Sequence, residues 1–98
     1  MNYLATIARS IEAKIGSDVD GDSEGLYLIY AILARITGVN TTAENVHDAW
    51  NAWMLMKGES HESMVPFAEL PSDIQAEDQP FVRAIREVAE DLLREGET

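Results

Sequence analysis

Leu4, Ile7, Ala8, Ile11 and Ile15 recur at spacings of three and four, the period of a single helix face. The pattern predicts a first helix over residues 2–15, with Arg9, Glu12 and Lys14 outward and Gly16 as its stop. A second helix is predicted over 24–37. Leu26, Ile29, Tyr30, Leu33 and Ile36 lie on one side, and Tyr27, Leu28 and Ile32 cover much of the rest. A helix apolar nearly all round belongs at the centre, packed on more than one neighbour. Gly38 ends it, and Thr41-Thr42-Ala43-Glu44 then fits a capping box with Thr41 as N-cap and Glu44 reaching back.

The third predicted helix runs to about Lys57 and is closed by Gly58. Val46, Ala49, Trp50, Trp53, Met54 and Met56 form a broad apolar face, with His47 and Asn51 on its flank. Residues 59–65 read as loop, and Met64-Val65-Pro66-Phe67 as a short extended crossing laid on the core, since Pro66 biases Val65 away from helical angles. Phe67, Leu70 and Ile74 are spaced to point inward over a turn or two of helix, with Ser72 and Gln75 as a second capping box. Asp78 as N-cap and Pro80 in the first turn restart the chain for a last helix over 80–95, with Phe81, Val82, Ile85, Val88, Ala89 and Leu92 inward. No stretch alternates as a strand would. The expected fold is all-α: a compact bundle of four main helices plus one short helix, in a single domain spanning 1–98.

Charge narrows the class of partner. Eighteen acidic residues against seven basic ones give a net charge of −11, a surface that repels phosphate backbones and disfavours direct nucleic-acid binding. The charge reads as a solvated surface, or as one that imitates the field of DNA and inhibits a basic nucleic-acid-binding host or defence factor. Arg83, Arg86 and Arg94 interrupt the most acidic helix and weigh against the second reading. No apolar run approaches the roughly 20 residues of a membrane span. The opening Met-Asn-Tyr-Leu lacks the marks of a secretory signal, and there is no cysteine, hence no disulfide and no thiolate chemistry. A cytoplasmic setting is expected.

Candidate chemistry is sparse. Asp18, Asp20 and Asp22 alternate like the first ligands of a calcium loop, yet the position that needs a bidentate Glu falls on Ile29 or Ala31, and Ser23 stands where the first register needs Gly. A loop whose Asp22 or Ser23 caps the next helix is the preferred reading. His47 and His61 lie on different elements without a compact carboxylate cluster, so no metal site is expected. The serines lie in no nucleophile elbow, and no glycine-rich phosphate loop is present. An enzyme is not expected, nor a cofactor. Trp50 and Trp53, one turn apart, serve either as core or as a platform on which a planar ring stacks.

Val46-His47-Asp48-Ala49-Trp50, Lys57-Gly58, His61, Met64-Val65-Pro66-Phe67, Leu70-Pro71 and the acidic Glu77-Asp78 together resemble the RyR domain, the repeated module of ryanodine-receptor channels that also occurs alone in bacterial and phage proteins. The chain is also similar, with its VHDAW and VPF-EL signatures, to small proteins of actinobacteria and their bacteriophages. The aromatic, glycine-bearing insert such modules carry between the helix end and the histidine is missing here. The resemblance implies a binding domain without catalysis, probing small ligands or protein segments, in which His47, Trp50, His61 and Phe67 lie close together. With Trp53 added, these five are the expected ligand- or partner-binding residues. The expectation is a small acidic, phage- or prophage-encoded module acting by protein–protein association. The alternative is a pocket for an adenine-like or other planar ligand. Self-association is compatible with the number of large apolar residues.

Overall fold

In the computed structural model, which describes residues 2–16 and 23–96, five helices account for most of the chain: α1 (Tyr3–Ile15), α2 (Glu24–Ile36), α3 (Ala43–Met56), the short α4 (Ser72–Ala76) and α5 (Gln79–Gly96). Short 3₁₀ turns at Gly38–Asn40 and Phe67–Glu69 punctuate the connections, and no strand occurs among the described residues. The architecture is the expected all-α bundle of four main helices plus a short one. The aspartates considered for calcium lie outside the described residues, as does Asp22 as a cap. Ser23 does precede α2 but accepts no capping hydrogen bond.

Each helix begins and ends for local reasons. Asn2 caps α1, its Oδ1 accepting from the backbone N–H groups of Leu4 at 2.8 Å and Ala5 at 3.3 Å. The box at α3 forms one residue later than the sequence pattern suggests. Thr42, not Thr41, is the N-cap, accepting from Asn45 N at 3.2 Å while Asn45 Oδ1 accepts from Thr42 N at 2.9 Å; Glu44 plays no part. Thr41 is withdrawn from capping because it is wholly buried, its hydroxyl donating to the Gly38 carbonyl at 2.7 Å beside the Thr37 hydroxyl. The Thr41 carbonyl accepts from Arg86 Nε of α5 at 2.7 Å. A tertiary tie thus decides between two adjacent threonines that local pattern cannot separate. Gly58, at φ 73°, closes α3 in the left-handed region that favours glycine.

Beyond α3 the expected extended crossing is confined to the approach to Pro66. Phe67–Glu69 winds instead into a 3₁₀ turn, with Glu69 N–H donating to the Pro66 carbonyl at 2.9 Å and Leu70 N–H to that of Phe67 at 3.1 Å. The Ser72/Gln75 capping box is also absent. Pro71 occupies the N-cap position, and Gln75 Nε2 turns back to donate to the Phe67 and Leu70 carbonyls at 3.0 and 3.1 Å. The Leu70 carbonyl gains a donor and the Phe67 carbonyl, already accepting from Leu70 N–H, a second one, and Gln75 engaged in this way is not free to cap α4. Asp78 accepts the first backbone bonds of α5, from Phe81 and Val82.

The core gathers where α2 meets α1, α3 and α5. Ile7, Ala8 and Ile11 of α1 face Tyr27, Tyr30, Ala31 and Ala34 of α2, Val46 and Ala49 of α3, and Val82, Ile85 and Val88 of α5. Complete burial of each large aliphatic side chain contributes about 1.5–3 kcal/mol, which is why the amphipathic α5 docks along its whole inner stripe. Two expected core residues fall outside it: Ile36 is 75% exposed and Met56 68%. The buried face of α2 is centred on its tyrosines and alanines because small side chains let three helices approach it, and that rotation turns the last residue of the helix out to solvent.

Candidate ligand-binding pocket

Three of the expected site residues descend one face of α3 at positions 47, 50 and 53, so the helix itself brings them into register. His47, read from sequence as a flank residue, is buried. Its Nε2 lies 2.6 Å from the Val65 carbonyl oxygen. A carbonyl only accepts, so that nitrogen carries the proton and the ring pins the loop before Pro66 onto α3. The imidazole stacks against Trp50, centroids 5.7 Å apart and planes 28° apart, and meets Phe67 at 6.1 Å. Trp50 in turn receives the His61 ring edge-on at 5.5 Å. His61 is held by the Ser63 backbone N–H, which donates to its Nδ1 at 3.0 Å. His47, Trp50, His61 and Phe67 therefore form one continuous cluster.

That cluster borders a cavity of about 480 Å³ that opens to solvent. His47, Trp50, Trp53 and His61 line it, whereas Phe67 stands behind His47 and does not reach it. Trp53 is held on two sides. Lys57 Nζ sits 4.0 Å from its ring centroid, and Gly25 of α2 lies so close that an added Cβ would meet the indole at 3.4 Å. The indole thus rests close against the α2 backbone, at the limit of contact for a Cβ. The lining also includes Tyr30 of α2, Phe81 of α5 and, between α4 and α5, the acidic pair Glu77 and Asp78.

Tyr30, Phe81 and Asp78 were legible as core and cap, not as pocket. The acidic pair did stand among the residues that carry the RyR resemblance, the one sequence signal that could have placed it at the site. Asp78 is partly buried, and desolvation pushes its carboxyl above the ordinary range; the charge of His47 opposes that shift and Glu77 adds to it. Burial also drives the Tyr30 phenol well above its usual value, with the Asp78 and Tyr27 charges adding to the effect, so it stays protonated. The Tyr27 hydroxyl is buried without a hydrogen-bond partner among the described residues. Burial raises its pKa first and the charge of Glu12 of α1 second. Among the described residues no three His, Cys, Asp or Glu side chains converge as a metal site would require. No helix among them is long and apolar enough to cross a membrane.

Residues 2–90 match the family described as a domain of unknown function, DUF7701. The chain belongs to this family. No curated protein and no solved structure matches it. The DUF7701 match spans α1 to α4 and most of α5, so it takes in every residue of the cavity wall named above.

Proposed function

We propose that this DUF7701 chain is a non-enzymatic binding module whose working site is the α2–α3–α5 cavity, and that it takes a ligand presenting a flat ring. The observation that carries this reading is Trp50: half-buried against the core, backed by the stacked His47 ring and flanked by His61, it also lines a cavity open to solvent. A site for a small molecule typically measures roughly 300–1,000 Å³, with mostly apolar walls and a few polar groups, and this one fits. Stacking on an exposed aromatic contributes about 1–3 kcal/mol per ring. The resemblance to the RyR module supports the same location. Both tryptophans border the cavity, so ring binding changes their emission. Titration with adenine, nicotinamide and quinoline tests it, and unchanged emission and no heat on mixing with all three would remove the proposal.

A second reading, association with another protein in a cytoplasmic setting, rests on a different surface. Ile36, Val39 and Leu93 are exposed and line a groove of about 350 Å³ between the end of α2 and α5, the kind of apolar patch that marks contact sites. A concentration-independent monomer mass, with no partner retained from host lysate that I36E/L93E loses, would set it aside. An inhibitor that imitates DNA is less well supported. The carboxylates of Glu87 and Asp91 lie 3.5 and 3.7 Å from Lys14 Nζ, and Arg94 also pairs with Asp91, so the acidic face of α5 is broken by cations.

A further inference from the structure

The charges around the cavity differ from those of a nucleotide site. Besides the phenols of Tyr27 and Tyr30, its ionisable lining consists of Glu77, Asp78, His47 and His61, with no lysine or arginine side chain among the lining residues. Lys57 approaches from beside Trp53, where it occupies one indole face and pairs with Glu59 at 3.6 Å. The whole molecule carries a net charge of −11. A phosphate entering here meets two carboxylates and no guanidinium or ammonium to receive it.

Asp78 is the informative group. Among the described residues its carboxylate forms no ion pair and no side-chain hydrogen bond, although it is only partly exposed and sits beside Tyr30, which is 2% exposed. Buried or half-buried charges ordinarily have a partner. The imidazole of His47 acts on it electrostatically, yet its Nε2 proton is already given to the Val65 carbonyl. A carboxylate that among the described residues has no ion pair or hydrogen bond, lining the same cavity as Trp50, has the two elements that hold an organic cation: a counter-charge and a π surface.

We propose that the cavity selects planar organic cations, stacked on Trp50 with their charge turned toward Asp78. This rests on the ring-binding reading above and adds the sign of the charge. Delocalised cations such as N-alkylated heteroaromatic rings suit the site better than compact ammonium ions, since they are weakly hydrated and lose less on leaving water.

The test uses closely matched rings that differ chiefly in charge: 1-methylnicotinamide, nicotinamide and nicotinate, and 1-methylquinolinium against quinoline, titrated at pH 7.5 by tryptophan emission and calorimetry. The expected result is that each cation binds at least about tenfold more tightly than its neutral counterpart, with nicotinate weakest. Asp78→Asn is expected to abolish most of that preference, and Glu77→Gln, at an exposed position, to reduce it less. Asparagine remains a good N-cap, and thermal melting verifies the fold of each variant. Equal affinity for cations and neutral rings overturns the charge inference and leaves the ring reading standing. A preference that survives intact in folded D78N also overturns it. If no member of either series binds, both readings fall together.

Discussion

Replacing His47 by phenylalanine keeps a flat ring between Trp50 and Phe67 but removes the proton given to the Val65 carbonyl. The magnitude follows from that geometry. A neutral hydrogen bond contributes about 0.5–1.5 kcal/mol, and a carbonyl left fully buried costs about 1–3 kcal/mol. Val65 is 38% exposed, so water reaches the freed carbonyl and the lower end applies, about 1 kcal/mol. His47→Ala loses the same bond and, in addition, two ring contacts of roughly 0.5–1.5 kcal/mol each, for a total of about 3 kcal/mol. In a chain of this size 1 kcal/mol moves the melting temperature by about 4–8 °C. Circular dichroism melts of wild type, H47F and H47A should then fall in that order, with the larger gap between the two variants. Melting of H47F together with wild type would mean that the Val65 bond anchors nothing. Coincidence of H47F with H47A would mean that the stacked rings contribute nothing, and the cluster would lose its standing as a built wall.

Other substitutions read other links of the same chain. Thr42→Ala should cost about 1 kcal/mol through the lost cap, seen as a lower urea midpoint, whereas Glu44→Ala should be near neutral because its side chain is not part of the capping box formed by Thr42 and Asn45. Gly25→Leu leaves room for a Cβ at the limit of contact with Trp53 but none for its branches; the indole should shift, with altered emission and weakened ring binding, and identical spectra would refute the close approach. The carboxyl of Asp78 is raised in the fold, so its protonated form is favoured there, and the stabilisation this gives is present at low pH and lost as the pH rises through the folded value. D78N should therefore melt above wild type at neutral pH, with the difference closing as the pH falls toward the ordinary value of 3.8. A constant difference across that range would refute the assignment.

Much of the bundle is legible from spacing alone. The stripes of α1 and α5 name their buried residues nearly one for one, because each helix buries a single face. Legibility fails where three elements compete for the same atoms. On α2, apolar nearly all round, period cannot say which face is innermost, and Ile36 turns outward while Ala31 and Ala34 turn in. The choice of Thr42 over Thr41 depends on Arg86, 45 residues away. The displaced role of Gln75 depends on carbonyls that exist as acceptors only because Phe67–Glu69 forms a turn. The candidate site shows the same division. His47, Trp50 and Trp53 follow from one helix face and His61 from the resemblance, which also held the Glu77-Asp78 pair, but Tyr30 lines the pocket only because α2 packs against α3 and α5, and nothing in its own neighbourhood signals it.

The cavity also runs against the interest of stability. A domain of this size has little core to spare, and yet it leaves two indoles half-covered and a carboxylate that, among the described residues, has no ion pair or hydrogen bond beside buried tyrosines. Filling the space with a leucine, or neutralising Asp78, would strengthen the fold by ordinary packing and solvation. Features that cost stability without serving the fold mark sites that serve something else. D78N is therefore the decisive substitution, because the two consequences of the same atom diverge: the fold gains at neutral pH while affinity for a planar cation falls. A residue with only a structural role would move both in the same direction, through loss of a well-formed wall. A variant that is more stable and binds 1-methylnicotinamide as well as before would show that the carboxylate is merely tolerated at the rim, and the cavity would have to be read from its aromatic walls alone.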